Sequence, residues 1–144
     1  MSHVSPGTEL GRNDVIGHKI TDILQSDRTI EDDMEWVTTY YCLDSGAILF
    51  LPDEDAGGFI AAEPDTNCTS QNYRQLKPVL GRLIANVVRV GPQCDYYHDR
   101  PYLILDNGYA VTDVMGYPVG PGYAGLHIYG PDDCELSKMI DFFD

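Results

Sequence analysis

The chain has 144 residues, 43% of them apolar, and a formal net charge of −14. That length suits one domain with a hydrophobic core of its own, no apolar run approaches the roughly 18 residues that cross a bilayer, and the excess of carboxylates opposes binding to nucleic acid or to anionic membrane. Residues 1–14 lack the basic start and apolar core of a secretion signal, which points to the cytoplasm. Cys42, Cys68, Cys94 and Cys134 include no Cys-x-x-Cys pair, so they read as reduced thiols that pack rather than as zinc ligands.

In chain order, residues 1–14 are polar and aperiodic and read as a flexible arm that contributes nothing to the core. Residues 15–24 read as a strand through Ile16, Ile20, Ile23 and Leu24, and residues 25–35 as an acidic loop. Residues 36–43 and 47–51 form a hairpin around Asp44, Ser45 and Gly46, and neither of its faces is strongly polar. A fourth strand follows at 58–64 and stops at Pro64. The connection at 65–78 is polar, with Tyr73 and Leu76 placed for one helical turn before Pro78.

The second half repeats the first. Residues 79–88 match 15–24 at an offset of 64, including the apolar-Gly-basic start shared by Ile16, Gly17 and His18 with Leu80, Gly81 and Arg82. Residues 102–112 form a second hairpin around Asp106, Asn107 and Gly108, the Asn-Gly pair being suited to a tight two-residue turn. Gly108 follows Gly46 by 62, and residues 125–131 follow 58–64 by 67, so the offset drifts only in the loops. After Pro131, Asp132 and Glu135 have capping-box spacing, and Leu136, Met139, Ile140 and Phe143 fall on one helical face, which predicts a C-terminal helix over 132–143. The expected fold is therefore mainly β, a β-rich α+β domain over 15–144. It comprises two duplicated four-strand antiparallel units, 15–64 and 79–131, packed with pseudo-twofold symmetry and capped by that helix.

Charge separates the two halves. Residues 29–73 contain ten acids and no Lys or Arg, whereas in residues 74–100 Arg74, Lys77, Arg82, Arg89 and Arg100 face only Asp95 and Asp99. Solubility alone would explain any single acidic run, but it does not require this asymmetry. Glu31, Asp32, Asp33 and Glu35, with Asp53, Glu54 and Asp55 from a second loop, would form one negative patch with Trp36 as an apolar anchor. That composition suits a basic protein partner.

The remaining motifs carry less. His98, Asp99 and Arg100 offer a base, a carboxylate and an anion ligand, but adjacent residues point in different directions, so a polar loop explains them better. His3, His18, His98 and His127 show no metal-ligand spacing. Residues 53–58 begin like a calcium loop, but Pro64 stands where its bidentate Glu belongs. The glycine-rich stretch 116–125 has two prolines and no Lys-Ser/Thr, which argues against a phosphate cradle, and Ser45 lacks the frame of a catalytic serine.

The expected function is thus a non-enzymatic acidic protein-binding module, with no catalytic residues, no metal and no cofactor. Inhibitory immunity proteins offer an analogy of size and charge. The alternatives are a small-ligand binder or enzyme with a pocket at His98, Asp99 and Arg100 between the repeats, and a homodimeric scaffold.

Overall fold

The computed structural model describes residues 5–26, 29–31, 34–52, 58–64, 68–70, 76–90, 100–114, 125–133 and 139–143. The fold is mainly β, and its sheets are antiparallel throughout. In the first half the strands are β1 (Glu9–Leu10), β2 (Ile20–Gln25), β3 (Thr29–Glu31), β4 (Met34–Trp36), β5 (Thr39–Leu43), β6 (Ile48–Leu49), β7 (Phe59–Ile60) and β8 (Thr69–Ser70). The second half supplies β9 (Ile84–Val90), β10 (Tyr102–Leu105), β11 (Ala110–Val114), β12 (Gly125–Tyr129) and β13 (Met139–Asp141). A single helical turn, α1 (Arg12–Val15), precedes β2.

A four-stranded sheet has the order β6-β5-β2-β8, and a five-stranded sheet the order β12-β11-β10-β9-β13. Ala61 bridges Leu49 antiparallel, so the chain after β7 lies beside β6 as β12 lies beside β11. Both sheets carry the same irregularity. Ile20 faces Leu43 and Asp22 faces Cys42, while Ile84 faces Leu105 and Asn86 faces Ile104. At each bulge the side chain turns back on the backbone, with Ile23 N donating to Asp22 Oδ1 at 2.8 Å and Val87 N to Asn86 Oδ1 at 2.9 Å.

The sheets meet at Lys19 and Leu83, which form an antiparallel bridge. Gly17 N donates to Ile84 O (2.8 Å) and Gly81 N to Ile20 O (2.7 Å), while Ile20 N donates to Arg82 O (3.1 Å) and Ile84 N to His18 O (2.9 Å). The segment entering each junction is a helical turn, closed by Ile16 N to Arg12 O and by Leu80 N to Leu76 O. His18 also ties the entry to the first hairpin, with Nδ1 2.9 Å from Asp44 Oδ1 and Nε2 3.1 Å from Asn13 O. That hydrogen bond holds the Asp44 carboxyl below its usual range.

Alternation along β5 buries Thr39, Tyr41 and Leu43, and the last two join Ile20, Ile23, Leu49, Leu51 and Phe59 against Ile84, Val87, Leu103, Leu105 and Val111 in one core drawn from both sheets.

Both hairpins form where expected, but each loop has three residues. Leu43 N donates to Ala47 O while Gly46 N donates to Leu43 O, and Leu105 N to Tyr109 O and Gly108 N to Leu105 O repeat the arrangement. Such a loop ends in a left-handed residue, and Gly46 and Gly108 have φ of 93° and 87°.

Three expectations need correction. The arm over 1–14 includes β1, which pairs with β7 and buries Leu10 in the core. The loop over 25–35 contains β3 and β4, paired through Thr29 with Trp36, Ile30 with Glu35 and Glu31 with Met34. The helix expected over 132–143 does not extend across its second half. Pro131–Asp133 is a turn in which Asp133 Oδ2 accepts from Gly130 N, residues 134–138 lie outside the described set, and Met139–Asp141 is a strand on β9. The open edge of β9 offers hydrogen bonds that an end helix would leave unmet, and Phe142 and Phe143 then pack on Phe59 with ring centroids 5.0 and 5.8 Å away.

Replacing Gly46 or Gly108 by Val is expected to destabilise the protein by roughly 1 kcal/mol or more through backbone strain. Gly108→Val should cost the more, because a Cβ there would stand 3.3 Å from Pro131 Cβ. Thermal melts of both variants check this, and unchanged midpoints would reject the left-handed turn position.

Candidate functional site

The acidic end of the first sheet is assembled by the β2–β5 ladder. Gln25 pairs with Thr39, Ser26 N donates to Thr38 O at 3.0 Å, and Thr38 N donates to Ser26 Oγ at 2.9 Å. Beyond these bonds the β3–β4 pair continues the same two chain segments, so Glu31, Glu35 and Trp36 belong to the far part of one long hairpin. The neighbouring strand leads to the same end. Because Leu49 pairs antiparallel with Tyr41, Leu51 and Pro52 run toward the Thr39 end, and because Ala61 bridges Leu49, the returning chain at Gly58 starts there too. The two acid-bearing segments therefore leave the first sheet at one end. Asp32, Asp33, Asp53, Glu54 and Asp55 themselves lie outside the described residues. A concentration of carboxylates produces a negative field that attracts cations.

A second polar cluster is buried where the same end of the first sheet meets the second. Gln25 Nε2 donates to Thr39 Oγ1 at 2.9 Å, and Thr39 Oγ1 donates to Asp113 Oδ1 at 2.8 Å, joining β5 to β11 across the core. Burial pushes the Asp113 carboxyl up to about 6, against the Thr39 hydrogen bond and the nearby charges of Arg100 and His127, which pull it down. Tyr41 is wholly buried, its Oη has no hydrogen-bond partner among the described residues, and burial followed by the Asp113 charge holds its phenol well above the usual range. Arg100 Nη1 donates to Leu51 O at 2.8 Å, and Thr112 Oγ1 to Pro101 O at 2.9 Å. Gly125 closes the cluster, since a Cβ there would fall 2.9 Å from Gln25 Nε2.

A carboxyl titrating near 6 beside a hydroxyl has the groups of a general base, but Asp113 is only 6% exposed and Thr39 is sealed completely. The cluster therefore positions the two sheets. Sequence reading passed over it, although one signal was available: Asp113 sits on the inward side of an apolar strand, at the place Leu51 holds in the first hairpin.

Of the alternative pocket residues, Arg100 is bound to the Leu51 carbonyl, and His98 and Asp99 lie outside the described residues. No group of three or more His, Cys, Asp or Glu among the described residues is placed to hold a metal, and no helix among them is long and apolar enough to cross a membrane. Cys42 and Cys68 are free thiols; burial, with Asp22 adding to it, pushes Cys42 up to about 11 and leaves it a packing residue. Comparison with protein-family models, with curated proteins and with solved structures finds no match to the chain.

Asp113 makes stability depend on pH. Its folded value of about 6 lies above the ordinary 3.8, so its contribution is fully present below about pH 4 and is lost as pH rises through 6. The ionised form then costs up to about 3 kcal/mol at pH 7.5. Asp113→Asn is expected to be less sensitive to pH than the wild type between pH 5 and 7, and to gain relative to it at pH 7.5. Urea titrations at pH 5, 7 and 7.5 check this, and an unchanged difference would remove Asp113 as its source.

Proposed function

We propose that the chain is a non-enzymatic acidic protein-binding module made of two copies of one unit, the first of which takes a basic protein as an inhibitor or immunity protein does. The duplication is supported by the junction, where an offset of 64 exchanges Gly17 with Gly81, His18 with Arg82 and Ile20 with Ile84 and turns each hydrogen bond into its counterpart. An approximate twofold axis beside Lys19 and Leu83 would produce that exchange, relating 15–64 to 79–131. The common strand order and the shared bulge support it independently.

One observation carries the binding reading: the hairpin bearing Glu31, Glu35 and Trp36 and the chain ends flanking residues 53–57 converge at one end of the first sheet. Like charges brought together repel, so this placement is costly to the free protein and favourable only toward a cationic surface. Steering by such a field speeds encounter, and Trp36 adds an aromatic anchor suited to holding the complex. Free thiols at Cys42 and Cys68 suit the cytoplasm. A homodimer is the less favourable assembly, since each copy brings a charge of −14. The alternative, a ligand or enzyme site near His98, Asp99 and Arg100, draws on the proximity of Arg100 to the perturbed Asp113 carboxyl.

Changing Glu31, Asp32, Asp33 and Glu35 together to their amides is expected to slow association by about tenfold. The partner is the basic protein recovered from the source cell by low-salt capture and salt elution. The salt dependence of the on-rate should flatten while the melting temperature holds. An unchanged on-rate and salt slope would return the patch to a solubility role.

A further inference from the structure

The outer face of the first sheet presents a row of apolar side chains at the acidic end. Leu24 pairs with Tyr40, and Tyr40 meets Phe50 edge to face with ring centroids 6.3 Å apart. The antiparallel bridge between Leu49 and Ala61 sets Ile60 opposite Phe50. The row Leu24, Tyr40, Phe50 and Ile60 thus crosses four neighbouring chain segments. Phe50 is 36% exposed and Ile60 45%, while Leu24 and Tyr40 are half-buried. One step toward the turn, Cys42, Ile48 and Ala62 continue the face and are half-buried as well.

The corresponding row of the second sheet is buried at three of its four positions. Val88 pairs with Tyr102, the pairing of Leu103 with Val111 sets Tyr102 opposite Thr112, and Thr112 pairs with His127. There Tyr102 is 1% exposed and Val88 and Thr112 are buried. Where the first sheet has Phe50, the second has a threonine whose hydroxyl is bonded to Pro101 O. The position of Phe50 is therefore sealed in the second sheet and open to solvent in the first, while Ile60 is exposed where its counterpart His127 is half-buried.

We infer that the row of Leu24, Tyr40, Phe50 and Ile60 is the apolar seat for the basic partner, which would place an aromatic or aliphatic side chain there with Lys and Arg around it. The inference rests on the binding reading above and adds the location of the contact core. Charge complementarity selects this occupant, because a second copy would bring its own −14 to the same acidic end. Chemistry agrees with it. Lys and Arg stems lie along apolar surface with their heads toward carboxylates, and a guanidinium stacks on a ring such as Tyr40 or Phe50. A sheet face with an aromatic pair at its centre and charge at its margin has the anatomy of an interface core and rim.

The test uses the full-length protein and two synthetic peptides, equal in length and in Lys and Arg content, one with a central Trp-Leu and the other with Ser-Ser. Binding is followed at low salt by amide NMR shifts. The Trp-Leu peptide is expected to bind at least about tenfold tighter than its Ser-Ser control, with the largest shifts at Leu24, Tyr40, Phe50 and Ile60. Phe50→Ser and the milder Ile60→Thr should each erase that preference while retaining the affinity for the Ser-Ser peptide and the wild-type melting temperature. Equal affinity of the wild type for both peptides would overturn the seat and leave the acidic patch standing. Binding of neither peptide would overturn the patch with it. Wild-type self-association that Phe50→Ser abolishes would assign the face to a second copy and overturn the proposal.

Discussion

Four main-chain hydrogen bonds around the Lys19 and Leu83 bridge decide where the two sheets sit, and the rest of the structure depends on them. Their donors and acceptors are backbone groups, so the side chains at the junction are free to differ. His18 and Lys19 stand in one half where Arg82 and Leu83 stand in the other. What the junction does require is a chain that turns sharply into it. Gly17 and Gly81 provide that, with φ of 92° and 80° in a region where L side chains are strained. Both β2 and β9 begin at these bonds, and each is a central strand of its sheet. Register therefore propagates outward from the junction, through the matched bulges to the neighbouring strands.

At the opposite end the sheets are joined by chemistry of another kind. The Gln25, Thr39 and Asp113 relay is made of side chains, spans the core and is sealed from water. A buried carboxylate is costly, as its raised titration shows, and an apolar pair would pack there at less cost. Its two directional hydrogen bonds specify how Thr39 stands relative to Asp113, which apolar contact alone specifies poorly. Gly125 reinforces the arrangement by admitting Gln25 where a larger residue would collide with it. Between the two ends, Phe59 of the first half meets Phe142 edge to face and stacks on Phe143, so β13 closes the core as well as the sheet.

Much of this was legible in the sequence because it is local. The Asp-Ser-Gly and Asp-Asn-Gly turns, the flanking β-branched and aromatic runs and the repeated apolar-Gly-basic motif led to both hairpins and to the matching of 15–24 with 79–88. The errors arose where tertiary partners outvote local pattern. Leu136, Met139, Ile140 and Phe143 have helical spacing, yet the edge of β9 and the face of Phe59 draw Met139–Asp141 into a strand. Glu9–Leu10 and Thr69–Ser70 are too short to show any period, and only their pairing with β7 and β2 makes them strands. The Asp113 relay was hidden for the same reason, since its members are separated by 74 residues between Thr39 and Asp113. For the candidate patch, the sequence carried the charges, and the antiparallel course of β5 and β6 was needed to bring their segments to one end.

The two outer rows differ in how far they are buried. In the second sheet Val88, Tyr102 and Thr112 are buried on the side away from the main core, and Val88 and Tyr102 belong with Ile104 and Ala110 to a second cluster of packed side chains. That sheet is covered on both faces, and its substitutions are constrained by packing. In the first sheet the outer face leaves Phe50 36% and Ile60 45% exposed. The acids are concentrated in the same half, and the basic excess of residues 74–100 in the other. On the proposed duplication, one copy has moved toward burial and near neutrality and the other toward exposure and charge. Burial of the second sheet stabilises the half that the Lys19 and Leu83 junction joins to the first, which on the proposed function would offset the repulsion and the exposed apolar surface there.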